Sequence, residues 1–447
     1  MELICMWIGI DDTDSRRGGC TTYLVGVLLS KIQRLGVHLI GYPRLIRLNP
    51  NVPWKTRGNG AVSFQIGIGR GTPTKIGRMK GNDVWSYPLM NNQIEDSDLV
   101  DQVKKVLLHE IESFAELSED NTNPGLVMTF DQFEETWYWD AVHRIIQKDE
   151  IVSFLTRKDA WFREFKNGRG IIGATGSIAW IGKHDNTFEL ISYRKKKRWG
   201  SSRSIDENSV IKMDENSSLT FDNYDYVNHH VNIMPHSPCP VLFGIRGDKA
   251  EELSACMNDI KCESFDEWLI FASNQGTDDH LLVSSITDLK SFQSVIIEGV
   301  ISKKPVTIPG GHVIFSISDE ASSVDCAAYE PTKQFRDVVR GLDVGDVVRI
   351  FGGVRKEPFT VNVEKLEIKA CATIYEKVEN PVCPVCGKHM KSKGLDQGFV
   401  CKKCKTNAEK GKMKRKNRII QKGIYEVPVC ARRHLSKPLI RRKRQEG

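Results

Sequence analysis

Ile8-Gly9-Ile10-Asp11-Asp12-Thr13-Asp14-Ser15, continuing through Arg16-Arg17-Gly18-Gly19-Cys20-Thr21-Thr22, is the stretch around which the chain can be arranged. Residues 3–10 are a short apolar run of the kind a buried strand uses, and residues 23–35 carry apolar side chains at helical spacing. Three carboxylates, two glycines and three threonines therefore fall at a strand-to-helix junction. Acids this close repel one another unless a cation holds them, and hard oxygen donors suit Mg²⁺, which bridges to phosphate. The segment 18–22 opens the helix, where free backbone N–H groups and the helix dipole favour an anion. An Asp-capped turn is the plainer alternative. The position between strand and helix points instead to a nucleotide–metal site, with Asp11, Asp12 and Asp14 on the cation and Gly18, Gly19, Thr21 and Thr22 at the anion.

A second polar stretch follows a strand read at 37–46 and interrupted by Pro43. Residues 47–61, RLNPNVPWKTRGNGA, form an irregular loop with fixed charges that leads into an alternating strand at 62–66. Lys55, Arg57 and the amides around Gly58 and Asn59 can hold phosphate oxygens; a solvated basic loop is the alternative. Gly168-Arg169-Gly170-Ile171-Ile172-Gly173 matches GxGxxG, yet the preceding residues 161–167 do not read as a buried strand and no βαβ unit frames it. It reads as a tight turn feeding an apolar helix that lines the nucleotide pocket. A GxxxxGK[ST] pattern is absent, which excludes a P-loop enzyme.

Elsewhere in the first 200 residues, 67–98 reads as a long loop or insertion, 99–117 as an amphipathic helix, and 126–128 as a strand. Residues 133–155 read as helical, with Trp137, Tyr138 and Trp139 in the core. The basic and Gly/Ser-rich segment 193–209 reads as a linker. Residues 211–288 read as a second α/β unit, with a strand into Gly247, a helix over 249–259 and a strand over 268–272, a pattern that fits a small ferredoxin-like layer. Within it, Asp222 and Asp225 either receive a cationic small molecule or form an Asx-turn pair. Residues 292–372 carry five strands with a short helix after the third, the order of an OB barrel, which commonly binds single-stranded nucleic acid.

The C-terminal segment holds the most specific motif. Cys383-x₂-Cys386 and Cys401-x₂-Cys404 stand 14 residues apart, a spacing that closes a tetrahedral S₄ site for Zn²⁺. Residues 381–447 contain 20 Lys and Arg against 4 Asp and Glu, so this segment carries +16 and the remainder −9 of the net +7. The basic tail suits a phosphate backbone, through Arg432, Arg433, His434, Lys437, Arg441 and Arg442; a solvated extension is the bland reading. At 447 residues with 40 % hydrophobic content, the chain is long enough for several domains with real cores. No apolar run is long enough to span a membrane and the start lacks signal-peptide form, so a cytoplasmic protein is expected. Paired cysteines in a reducing compartment indicate metal and not disulfides.

Taken together, IGIDDTDS, GGCTT, PRLIRLNPNVPWKTRGNGAVSF, NTNPG, GRGIIGA, TFDN, PCPVLFGIRG, AAYEPTKQFR, the four cysteines and YEVPVCARRHLSKPLIR resemble the archaeal isoleucine tRNA 2-agmatinylcytidine synthetases over most of the chain. The resemblance implies a multidomain α/β plus all-β protein. Its parts are a novel kinase-like α/β domain (1–205), a ferredoxin-like α+β domain (206–290), an OB-fold barrel (291–376) and a zinc ribbon with a basic tail (377–447). It implies an ATP-dependent ligase that activates the 2-carbonyl oxygen of the wobble cytidine in a CAU anticodon, agmatine then displacing the activated oxygen, with ATP ending as AMP and phosphate. It implies that Asp11, Asp12 and Asp14 hold Mg²⁺ and nucleotide, that Thr21 is autophosphorylated, and that Lys55, Arg57 and Asn59 sit on the phosphates. Two rival readings are a non-catalytic OB-fold and zinc-ribbon RNA-binding protein, and a metal-dependent NTPase acting on another RNA. The first gives no reason to place DDTD and GGCTT at a strand end.

Overall fold

In the computed structural model, residues 6–90, 97–394 and 397–446 are described. Strand β1 (Met6–Asp11) lies between two antiparallel neighbours, β3 (Gly60–Gly67) and β6 (Gly125–Thr129), reached through α1 (Thr21–Ile32) and β2 (His38–Arg47). Its faces are both covered, which is why it reads as an uninterrupted apolar run. Ile8 and Ile10 pack with α1 and with α2 (Ser97–Phe114), while Trp7 packs with the opposite layer of α3 (Thr136–His143), α4 (Lys148–Arg157) and α5 (Gly170–Ala179). Residues 3–5 of the expected strand lie outside the described part.

Three expectations are corrected. Within 67–98, of which 91–96 lie outside the described residues, the expected loop is replaced by β4 (Thr74–Met79) and β5 (Asn82–Tyr87), an antiparallel hairpin inside the main sheet. The helix expected over 133–155 is two helices, broken at Arg144 and restarted by a capping box between Gln147 and Glu150. The segment 193–209 is no free linker, because Arg194 is 1 % exposed and paired with Glu263.

Strand β7 (Trp161–Glu164) closes one edge of this sheet; β8 (Thr187–Tyr193), α6 (Glu207–Asn216), β9 (Thr220–Phe221), β10 (Val241–Gly247), α7 (Ala250–Asp259) and β11 (Glu267–Ser273) extend the other. The eleven strands run β9-β10-β8-β11-β4-β5-β2-β3-β1-β6-β7, and β11 also pairs in parallel with β2. The order β9-β10-β8-β11 with two helices is ferredoxin-like, and β8 is its first strand. An edge at 205/206 therefore cuts this unit between its first strand and first helix.

The third unit is a closed barrel: β12 (Ser294–Thr307), β13 (Val313–Ser318), β14 (Ser323–Ala328), β15 (Val347–Val354) and β16 (Thr360–Ala370), with β12 pairing β15 to complete the circle. Helix α8 (Phe335–Arg340) follows the third strand and buries Phe335 and Val339 in the barrel core. The ribbon is a separate small body whose core is Cys383, Met390, Phe399 and Cys401.

The chain then returns. Strand β17 (Gly423–Glu426) adds to β16, and the segment beyond it, ending in α9 (Leu439–Glu446), runs back along the first two units. Leu435 is buried in the core under α5, and the Gly276 and Asp278 amides donate to the carbonyls of His434 and Leu435. Among the described residues, no helix is long and apolar enough to cross a membrane.

Candidate active site and metal centre

The C-terminal end of β1 and the N-terminus of α1 open onto a cavity of about 530 Å³. Its walls come from the first unit (Asp11, Asp12, Asp14, Thr21, Thr22, Arg47, Lys55–Gly60, Arg169, Gly173), from the ferredoxin-like unit (Glu189, Asn232–Ser237, Arg246) and from the C-terminal segment (Arg432, His434). Helix α5 approaches so closely that a Cβ on Gly173 would stand 1.9 Å from Asp11 Oδ2. Gly170 and Gly173 of the GxGxxG stretch thus serve helix-on-strand contact at this cavity and Gly168 the left-handed turn before the helix, with no dinucleotide fold around them.

Each acid is held separately. Asp12 is left-handed (φ 57°), a conformation that Asp tolerates better than most residues. Its Oδ2 accepts from the Asn123 amide at 3.0 Å. The Thr122 hydroxyl donates to the Asp14 carbonyl at 2.8 Å, so the NTNPG motif clamps the acidic loop. Asp14 accepts from Arg57 Nε at 2.8 Å, and Arg57 Nη2 reaches the Gly19 carbonyl at 2.8 Å. Burial, then the Asp12 charge, pushes the Asp11 carboxyl well above the usual range. Asp12 is pushed up to about 7 by burial, with the Asp14 charge adding to it against its hydrogen bond from Asn123. Oxygen-only donors with mutually raised acids fit a hard divalent cation.

Thr21 begins α1, and its hydroxyl shares a 3.0 Å hydrogen bond with that of Thr13. The Thr22 hydroxyl is 3.0 Å from Cys20 Sγ. Lys55 donates to the Pro50 carbonyl, and burial lowers its ammonium to about 8, with the Arg433 charge adding to the effect. Asn59 is left-handed and ties its loop to the Asn49 carbonyl at 2.8 Å. At the mouth, Arg169 stacks on the half-exposed Trp54 ring at 3.9 Å. Arg47, Arg246, Glu189 and the 232–237 loop were missed in sequence; the quoted motifs contain the two arginines, but nothing local distinguishes them from surface charges.

Two groups of expected ligand contacts are corrected. Asp222 is paired with Arg432, and Asp225 accepts from the amides of Val227, Asn228 and Cys430, so both acids hold the chain's own C-terminal segment and neither lines the cavity. The basic tail is no free arm. Arg432 meets Asp222 and Glu426, Arg433 meets Glu364, Lys437 meets Asp185, and Arg441 meets Asp185 and Asp248. His434 is partly buried at the cavity wall, and Arg442, bonded to the neighbouring-turn Glu446, stays half-exposed. Long basic side chains found acids far away in sequence, which local charge counting does not see. Beyond Arg442 and Lys443 of α9, exposed cations of this end lie on the ribbon, including Lys402, Lys403, Lys412, Lys414 and Arg415.

The four Sγ atoms of Cys383, Cys386, Cys401 and Cys404 lie within 4.8 Å of one another. A Zn–S bond of about 2.3 Å in a tetrahedron sets the sulfurs about 3.8 Å apart, so the donors fit Zn²⁺.

Comparison with known proteins agrees with this architecture. Family models described as the TiaS TCKD domain, the TiaS FLD domain and the TiaS C-terminal zinc ribbon domain match residues 7–167, 168–280 and 380–420. An OB-fold nucleic acid binding domain matches 295–370. Relatives named as the isoleucine tRNA 2-agmatinylcytidine synthetase TiaS, from Archaeoglobus fulgidus and Methanocaldococcus jannaschii, are 42 % and 40 % identical, covering 98 % of this chain and 97 % and 99 % of theirs. A crystal structure of TiaS in complex with its isoleucine tRNA and ATP is similar at TM-score 0.83 and 40 % identity, and one of TiaS with that tRNA, AMPCPP and agmatine at 0.81 and 37 %; each comparison covers 98 % of this chain and 97 % of the other. The chain belongs to the TiaS family.

Proposed function

We infer that this chain is an isoleucine tRNA 2-agmatinylcytidine synthetase, using ATP to join agmatine to the wobble cytidine of a CAU-anticodon isoleucine tRNA. The observation that carries the reading is similarity over nearly the whole chain to structures that hold this tRNA, ATP or its analogue, and agmatine. A single cavity that joins acids, a helix N-terminus and basic side chains supports it.

The chemistry defines what the residues have to do. A cytosine 2-carbonyl is a poor electrophile with a poor leaving group. Phosphorylating its oxygen creates a leaving group, which a primary amine then displaces. Asp11, Asp12 and Asp14 are the residues that would hold Mg²⁺, which when bound neutralises phosphate charge. Thr21 is the proposed phosphoryl acceptor, placed where the free amides of α1 favour an anion. Thr22, Gly58 and Asn59, on the cavity wall, would present backbone and short polar groups to the phosphates, with Gly18 and Gly19 beside them, their carbonyls held by Arg57. Lys55 and Arg57 neutralise charge on the transferred group, Lys55 still largely protonated at neutral pH. The OB barrel and the exposed basic face of the ribbon hold RNA so that the target base can leave the stack. The chemistry belongs in the cytoplasm, where tRNA and ATP are.

Mass spectrometry of CAU-anticodon isoleucine tRNA after incubation with ATP and agmatine tests the reading. The wild-type chain should add agmatine to the wobble cytidine, and Asp12→Asn, which keeps the left-handed backbone and removes one charge, should not. Thr21→Ala should carry no label from γ-³²P-ATP; label on that variant moves the acceptor to another residue. Unmodified tRNA with the folded wild-type protein would overturn the function.

A further inference from the structure

Arg47 ends β2 inside the cavity with its Nε shielded from solvent and without a hydrogen-bond partner, and no ion pair to it occurs among the described residues. Its neighbours add to the imbalance. Arg246 Nη2 donates to His434 Nδ1 at 3.0 Å, while Arg246 Nε reaches Glu189 at 3.3 Å. Lys55, in no salt bridge among the described residues, is close enough to act on the same imidazole. The Arg47 charge, then burial and the Arg246 charge, holds the His434 imidazole well below its usual range, hence neutral. An arginine N–H only donates, so Nδ1 accepts and the single ring proton is on Nε2. The Gly58 backbone packs close against both groups: a Cβ there would stand 2.8 Å from Arg47 Nη1 and 3.4 Å from His434 Nε2. Glu189 is taken by its ion pair with Arg246, and Asp14, whose charge also acts on Arg47, is itself paired with Arg57, so Arg47 is left without a carboxylate of its own. A buried cation without a partner is costly unless an anion joins it.

We propose that Arg47, Arg246 and His434 form a phosphate subsite on the ferredoxin-like side of the cavity, filled by a phosphate that arrives with a substrate. The inference rests on the reading of this cavity as the ATP and RNA site. Two sources carry that chemistry: the polyphosphate of ATP and the RNA backbone beside the target base. The arginine fork and the Nε2–H suit the tetrahedral oxygens of either.

Arg47→Gln in the full chain tests it, with inorganic pyrophosphate as the probe. The wild-type melting temperature should rise with pyrophosphate. The variant should show no such rise, and without anion it should melt at or above wild type, because an unpaired buried charge has gone. If ATP is the source, ATP affinity falls about ten- to hundredfold, as loss of a charge-assisted contact implies, with tRNA binding unchanged. If RNA is the source, the slope of log K against log salt becomes shallower by about 0.7, with ATP binding unchanged. A variant that melts lower without anion, responds to pyrophosphate like wild type and binds both substrates normally would overturn the subsite and leave Arg47 a pin for the 58–60 turn. A wild-type chain that responds to pyrophosphate through Arg47 but binds neither ATP nor tRNA would keep the subsite and reject the enzyme reading.

Discussion

Arg441 Nη1 donates to Asp185 Oδ2 at 2.7 Å across 256 residues of sequence, in a site where the arginine is 1 % exposed. The same guanidinium bonds Asp248 and the Gly276 carbonyl. One side chain of the terminal helix therefore ties the start and the middle of the ferredoxin-like unit together. Arg441→Met should destabilise the protein by about 3 kcal/mol, because it leaves two acids without their main cation; Lys437 and Arg444 offset part of the loss. Equilibrium denaturation checks this. A neutral result would return α9 to the status of a solvated extension.

That contact also marks where sequence reading stops. Asp11-Asp12-Thr13-Asp14, the OB periodicity and the Cys-x₂-Cys pairs were legible because their chemistry is local, within a few residues or one strand. The β4–β5 hairpin was not. Ile76, Met79 and Val84 are buried, but the strands are short, β4 carries Gly77 in its middle, and β4 pairs with β11 almost 200 residues away. The tail failed for the same reason in electrostatic form, since Asp185, Asp222, Asp248 and Glu364, which hold most of its cations, are far away in sequence. The acidic half of the candidate site was readable, whereas the opposing wall of Arg246, Glu189 and His434 exists only once three distant segments meet.

Glu364 joins the OB barrel to the C-terminal segment and should make that joint acid-sensitive. Burial alone would raise its carboxyl, but Arg433, His280 and Lys365 outweigh it and hold it at about 2, below the ordinary 4.5. His280 Nε2 lies 3.0 Å from it. A depressed folded-state value means the stabilisation is complete above about pH 4.5 and is lost as pH falls toward 2. The shift corresponds to about 3 kcal/mol. Unfolding midpoints between pH 5 and pH 2.5 should fall more steeply for wild type than for Glu364→Gln, which has no charge to lose. Parallel pH profiles would contradict the assignment.

The ribbon should be separable from the rest through its metal. Its core is only four residues with their neighbours, too small to persist without the ion. Cys401→Ser opens the tetrahedron, so zinc content should drop from about one per chain to near zero. Amide exchange should become fast over residues 381–408 and stay protected in β1, β8 and β15. Retained zinc in the variant would contradict a four-thiolate site.

Gly173→Ala should separate site geometry from fold stability. Alanine is the better helix former by about 1 kcal/mol, so on a scaffold helix the change is harmless or helpful. Here the added Cβ would stand 1.9 Å from Asp11 Oδ2, and α5 has no slack to yield. A Cβ on Gly9 would already meet the Ala174 carbonyl at 2.5 Å, and one on Gly125 the Ile171 amide at 1.9 Å. The carboxylate, the freer group, has to move. A displacement near 1 Å costs about a hundredfold in a positioned reaction, so ATP turnover should fall by that order while circular dichroism stays native. Gly176→Ala, three residues on, is the control. Its Cβ would meet Ala141 Cβ at 2.9 Å, away from the acids, and should lower stability while leaving turnover near normal. Equal turnover in Gly173→Ala and wild type would mean that the Asp11 carboxylate has no part in the chemistry.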